Sequence, residues 1–158
     1  MTIISVNTLK GRLGPEQRRK LAETLTDAVL VPEVGQFAPA ARVGFQVHFV
    51  EREPDMMAIG GRLLADAEPG LDVMVIDVAV MDGDWHQAVR AQVIERVLAA
   101  MADACGLAEP SPAWWVNFRV IDEGSWGSSG GVLSVLSLLD SGVFTEERVE
   151  AIRAVIDA

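Results

Sequence analysis

The feature that most constrains this chain is that it is punctuated twice in the same way. An apolar stretch, Thr2–Leu9, is stopped by Lys10-Gly11-Arg12. A helix-patterned run and an alternating strand follow, and the doublet Gly60-Gly61 closes the unit. The order then returns: an apolar run over 73–80, Asp82-Gly83-Asp84, a long helix pattern, an alternating strand over 114–120, and the doublet Gly130-Gly131. Gly11 stands nearly as far from Gly60 as Gly83 does from Gly130. Such matching reads as an internal duplication, about 2–67 and 71–139, within a single domain. Glu68-Pro69-Gly70 is the joint.

Within the first unit, Gly14-Pro15-Glu16 opens a helix with proline in the first turn and an acid near the positive end of the dipole. Leu21, Leu25, Ala28 and Val29 recur at helical spacing, Pro32 is expected to stop the helix, and 33–41 reads as a loop. Residues 42–51 alternate, with Val43, Phe45, Val47 and Phe49 on one face and Arg42, Gly44, Gln46 and His48 on the other. The second helix, expected over 85–105, carries Val89, Val93, Val97 and Met101 on one stripe and ends at Gly106 and Pro110. In the strand after it, Trp115, Asn117 and Arg119 alternate with Trp114, Val116 and Phe118.

Each unit thus has a crossover helix long enough to join two parallel strands. The expected fold class is α+β: two tandem β-α-β units forming a four-stranded sheet with two helices on one face. The other face needs cover, and a homo-oligomer supplies it. The run over 132–139 is too apolar for a free surface and is expected to pair with a neighbouring subunit. Thr145-Glu146-Glu147 caps a last helix, about 145–157.

Composition narrows the function classes. A chain of 158 residues, half of them hydrophobic, supports one domain with a real core. There is no run of about 18 apolar residues, so no membrane partner is expected. The start lacks the basic and apolar regions of a secretory signal. The one cysteine, Cys105, follows an apolar run and reads as a buried structural thiol, which fits a reducing, cytoplasmic setting. A net charge of −10 argues against a nucleic-acid partner, although a few local arginines can still build an anion site. No Cys/His cluster, phosphate-binding glycine loop or paired-histidine spacing occurs, so neither a metal nor a cofactor is expected.

The arrangement resembles the tautomerase superfamily, specifically its fused 4-oxalocrotonate-tautomerase (4-OT)-like members. The residues that carry the resemblance are the first strand ending in Leu9-Lys10-Gly11-Arg12, the helix with Pro15-Glu16-Gln17, Leu21 and Leu25, the strand Phe45-Gln46-Val47-His48-Phe49-Val50-Glu51, and Met57-Ala58-Ile59-Gly60-Gly61. Trp114-Trp115-Val116-Asn117-Phe118 and Trp126 before Gly130-Gly131 repeat the outline. The resemblance implies a trimer of fused chains around a barrel-like interior. It also implies an amino-terminal proline as general base or acid, arginines that bind a substrate carboxylate, and an aromatic wall before the glycine doublet.

Carried over residue by residue, the proline position is Thr2, which supplies an amine only when Met1 is removed. An α-amino group ordinarily titrates at roughly 7.7–8.0, so it suits proton transfer near neutrality. Arg12 falls on the first arginine position; the second aligns with Gln46, with Arg42 as its substitute. The aromatic position holds Met57 in the first copy and Trp126 in the second. The dehalogenase branch has arginines at the head of the second helix, where this chain has Asp84, and that branch is set aside. His48, Asn117 and Arg119 complete the candidate ligand-binding residues, and Asp77 in an apolar strand calls for a partner, with Arg119 the expected one.

Two functions follow from these residues. One is isomerisation between the enol and keto forms of a small anionic 2-oxo or 2-hydroxy-enoate acid. The other is a binding or scaffold trimer that kept the fold without the proline base.

Overall fold

A computed structural model describes residues 1–67 and 70–156. Part of the joint, Glu68 and Pro69, and the last residues, Asp157 and Ala158, lie outside the described residues. Strand β1 (Thr2–Leu9) leads to helix α1 (Pro15–Val34), strand β2 (Phe45–Arg52) and the short hairpin β3 (Ala58–Ile59) and β4 (Arg62–Leu63). The second unit repeats this as β5 (Met74–Met81), α2 (Gln87–Ala104), β6 (Trp114–Ile121) and the hairpin β7 (Trp126–Ser128) and β8 (Gly131–Leu133). Helices α3 (Val135–Leu139) and α4 (Glu146–Ile156) follow.

The central sheet has the order β2-β1-β5-β6. Pairing is parallel within each unit, β1 with β2 and β5 with β6, and antiparallel where the units meet, β1 with β5. The α+β architecture with both long helices on one face is as the duplication predicts. The alternation of β1 explains the layering: Thr2, Ile4, Val6 and Thr8 are buried against the helices, while Ile3, Ser5 and Asn7 lie on the open face. Leu21, Leu25 and Val29 from α1 and Val93, Val97 and Met101 from α2 fill the core with Ile4, Val6, Ile76 and Val78. Each fully buried aliphatic side chain contributes about 1.5–3 kcal/mol by leaving water, so this layer dominates stability.

Several expectations are corrected. Pro32 does not stop α1; the helix runs on to Val34 and ends at Gly35, whose φ of 83° gives a left-handed cap with its N–H on the Val31 carbonyl. One proline in the last turn removes one helical hydrogen bond, and burial of Pro32 and Val34 offsets that loss. Strand β2 starts at Phe45, because 39–44 forms a 3₁₀ turn begun by Pro39. Trp85 precedes α2 rather than opening it: its indole N–H donates to the Met81 carbonyl at 2.9 Å and leaves His86 at the cap position. Within the chain, the run over 132–139 is not one continuous strand. Its first residues pair with β7 in the same chain, and 135–139 coils into α3, with Val135 and Leu139 packed on Met81 and Ile152. Asp77 is not buried and does not meet Arg119; it lies on the open face and accepts from Asn7 and Asn117. Among the described residues, no helix is long and apolar enough to cross a membrane.

Candidate functional site

The sheet collects the sequence-derived candidates into separate places. At the start of β1, Met1, Thr2, Gln46, Ser125 and Trp126 line a cleft of about 290 Å³. Parallel pairing opposes Thr2 to Phe45 and so sets Gln46 beside it, while β7 brings Trp126 from the second unit. The Thr2 side chain itself is directed into the helix-facing core, 1% exposed, and its Oγ1 lacks a hydrogen-bond partner. His48 lies two residues further on the open face, its Nε2 3.0 Å from the Gln46 Oε1.

A larger depression of about 470 Å³ occupies the open face and is lined by Ser5, Asn7, Arg52, Asp77, Asn117 and Arg119. Register explains the grouping: Asp77 faces Ser5 across one ladder and Asn117 across the other. Neither Arg52 nor Arg119 makes an ion pair among the described residues, and Arg52 donates only a long bond of 3.4 Å to Asn7. Met57 lies in an adjoining cleft of about 270 Å³ with Trp115, Val75 and Ile59, which shares Asn7, Arg52 and Asp77 with the depression. The Trp126 and Met57 positions therefore stand at opposite ends of the sheet, because β1 and β5 run antiparallel.

The two arginines singled out by position are held elsewhere. Arg12 makes a paired contact with Asp72, Nε to Oδ1 at 2.9 Å and Nη2 to Oδ2 at 2.8 Å, and this bond holds its guanidinium charged above the ordinary arginine range. Its neighbour Cys105 is half-buried, and burial pushes the thiol up, which disfavours the reactive thiolate. Arg42 rises from the 3₁₀ turn, not from β2, and donates to both oxygens of Asp27 at 2.8 and 2.5 Å, with Glu23 at 3.1 Å. Arg12 also lies beyond the far end of β1 from Thr2. At about 3.3 Å per residue the strand alone separates them by roughly 23 Å. One small ligand reaches both only when separate chains bring them together.

Sequence reasoning missed Glu33. It is 9% exposed, its Oε2 has no hydrogen-bond partner, and it lines a cavity of about 270 Å³ beside Met1. Burial pushes its carboxyl above the usual range, while the charges of the Met1 amino group and of Arg148 pull it back. The signal was present: Leu21, Leu25, Val29 and Glu33 follow one another at spacing four, so the acid falls on the buried stripe of α1. Placing 33–41 in a loop hid it.

No family profile and no curated protein matches the chain. Solved structures do. A fused 4-OT determined as a symmetric trimer aligns with a TM-score of 0.66 and 20% identity, over 86% of this chain and 98% of its own. N1, a member of the cis-3-chloroacrylic acid dehalogenase family, aligns with a TM-score of 0.68 and 20% identity, over 96% of this chain and 99% of its own. A protein inactivated by 2-oxo-3-pentynoate aligns with a TM-score of 0.65 and 18% identity, over 86% of this chain and 98% of its own. At these identities the likeness is one of fold, and it does not choose between branches. Asp84, where the dehalogenase arginines would stand, is bound by Arg148 at 2.5 Å.

Proposed function

We propose that the chain is a tautomerase-superfamily protein of the fused 4-OT kind, and that it isomerises small 2-oxo or 2-hydroxy-enoate acids as a homotrimer. The observation that carries this reading is the cleft at the start of β1, where Thr2, Gln46 and Trp126 meet within the shared fold. The α-amino group at the chain start, exposed on Thr2 after removal of Met1, or a water held there, moves the proton between carbon and oxygen. Trp126 gives an apolar wall. The substrate carboxylate is recognised by arginine from the open face of an adjoining chain, with Arg119 and Arg52 the guanidiniums not committed to ion pairs and Asn117 beside them. Arg12 and Arg42 join only by exchanging Asp72 or Asp27 for the substrate.

Two measurements test it. Ketonisation of phenylenolpyruvate should run faster with protein than in buffer, and Arg119→Ala should reduce that rate at least tenfold. The conjugated alkyne of 2-oxo-3-pentynoate should add once to the chain-start amine, located by peptide mass. No acceleration of the enol and no adduct at the amine would refute the activity.

A second reading, a binding or scaffold trimer without the base, is favoured by the ion pairs that occupy Arg12 and Arg42. Thr2→Pro in protein freed of Met1 separates the two. A large gain in ketonisation means an intact site lacking only its base, and no gain means a remodelled one.

A further inference from the structure

The cavity beside Glu33 adjoins the cleft just described, with Met1 between them. It lies between the end of α1, the 3₁₀ turn and the segment joining α3 to α4, and its wall is apolar: Leu30, Val34, Phe45, Leu138, Val143 and Phe144. Glu33 is the one charged side chain lining it; Met1 lines it too, its sulfur lying against Gly44. A carboxylate with a free oxygen in an apolar wall is costly unless a donor meets it.

The cations near Glu33 do not meet it. Arg148 donates to the Glu33 main-chain carbonyl at 3.0 Å, to the Asp84 carboxylate at 2.5 Å and to the Asp84 carbonyl at 3.1 Å, three of its five donors, and none of these bonds goes to the Glu33 carboxylate. No ion pair within 4.0 Å joins the Met1 amino group to Glu33 among the described residues. We propose that this cavity is a second ligand site, taking a small apolar molecule that carries one primary ammonium group, with the Glu33 carboxylate as its partner.

Size and charge define the class. A volume of about 270 Å³ falls just below that of ordinary drug-sized pockets and suits one ring with a short arm. An ionised carboxylate only accepts, so an ammonium makes a charge-assisted bond where an alcohol makes a weaker one and an acid is repelled. The overall charge of −10 raises the local concentration of such cations. The C-terminal segment makes the site: Thr145 N–H on the Val34 carbonyl at 2.9 Å and the Arg148 contacts fix Val143 and Phe144 over Glu33.

The probes are benzylamine and benzyl alcohol, titrated calorimetrically into the full chain at pH 8. Benzylamine should bind wild type at least tenfold more tightly than benzyl alcohol. Glu33→Gln should remove that preference while retaining a cooperative melt, and Ala41→Phe, which fills the cavity from the 3₁₀ turn, should weaken both probes at least tenfold. The site is overturned by absence of benzylamine binding to folded wild type, by an undiminished preference in Glu33→Gln, or by unchanged affinity in Ala41→Phe. If Glu33→Gln does not fold, the Ala41→Phe result decides alone. The isomerase reading is judged by ketonisation in the Thr2–Trp126 cleft, so the two fail separately; because Met1 lines both, both assays use protein of one N-terminus verified by intact mass.

Discussion

Glu33→Gln should stabilise the protein, and more so as the pH rises. The substitution keeps the shape of the side chain and removes the charge from a group that is 9% exposed with a carboxylate oxygen left without a partner. Leaving a buried charged group unsatisfied costs about 1–3 kcal/mol or more, so a gain of about 2 kcal/mol is expected once Glu33 is ionised in the folded state. For a chain of this length that corresponds to roughly 4–8 °C in Tm. The pH dependence follows from linkage. The folded carboxyl titrates above the unfolded one, which lies at roughly 4.3. Between those two values the folded protein holds a proton that the unfolded chain has released, so wild-type stability falls as pH rises through that window. Below the unfolded value Glu33 is neutral in both states and the variants should nearly coincide; above the folded value the cost is complete. Thermal melts of both proteins at pH 4 and pH 8, at matched ionic strength, read this directly. A Tm difference independent of pH, or a less stable variant at pH 8, would refute the reasoning.

Other outcomes follow from the same structure. A Cβ on Gly35 would stand 2.5 Å from the Thr145 Oγ1 and 2.9 Å from the Arg148 Cγ, at a φ of 83°. Gly35→Ala should therefore cost about 3 kcal/mol in urea denaturation, while Gly142→Ala, also left-handed but with open space around it, should cost about 1 kcal/mol. A double-mutant cycle on Arg12 and Asp72 should give a coupling of about 1–2 kcal/mol, the two side chains being 28% and 25% exposed; additivity would mean the pair does not hold in solution. If an oligomer covers the open face, Trp115→Glu should lower the sedimentation mass without unfolding the protein, since Trp115 is 58% exposed in the single chain.

The fold was legible because punctuation and period agree. Gly60-Gly61 and the Ser129-Gly130 turn each reverse a short hairpin, and the left-handed φ values that glycine tolerates explain why the doublets recur. The stripe of Val89, Val93, Val97 and Met101 is buried as its spacing predicts. Local signals failed where tertiary contacts decided. Pro32 reads as a stop, yet the core and a glycine cap carry α1 past it. Val43 alternates with Phe45, but the Arg42 contacts to Asp27 and Glu23 belong to a turn, and Val43 is left 93% exposed. The site was legible only in part. Thr2, Gln46 and Trp126 line one cleft, with the Thr2 side chain turned into the core, whereas nothing in the sequence reveals that Arg12 meets Asp72, 60 residues on.

The antiparallel meeting of β1 and β5 bears on how such a chain evolves. Each half starts a strand at one end of the sheet: the Met74 nitrogen is a peptide amide bonded to the Ala113 carbonyl at 3.4 Å, and at the other start the Met81 N–H donates to the Met1 carbonyl, also at 3.4 Å. On the proposed reading, joining the halves leaves one of two equivalent strand starts without an amine to present. The two ends differ in lining, with Gln46 and Trp126 around one and Met57 and Trp115 around the other. A duplicated strand start with no amine to present is free to become a binding surface, a packing surface, or nothing at all.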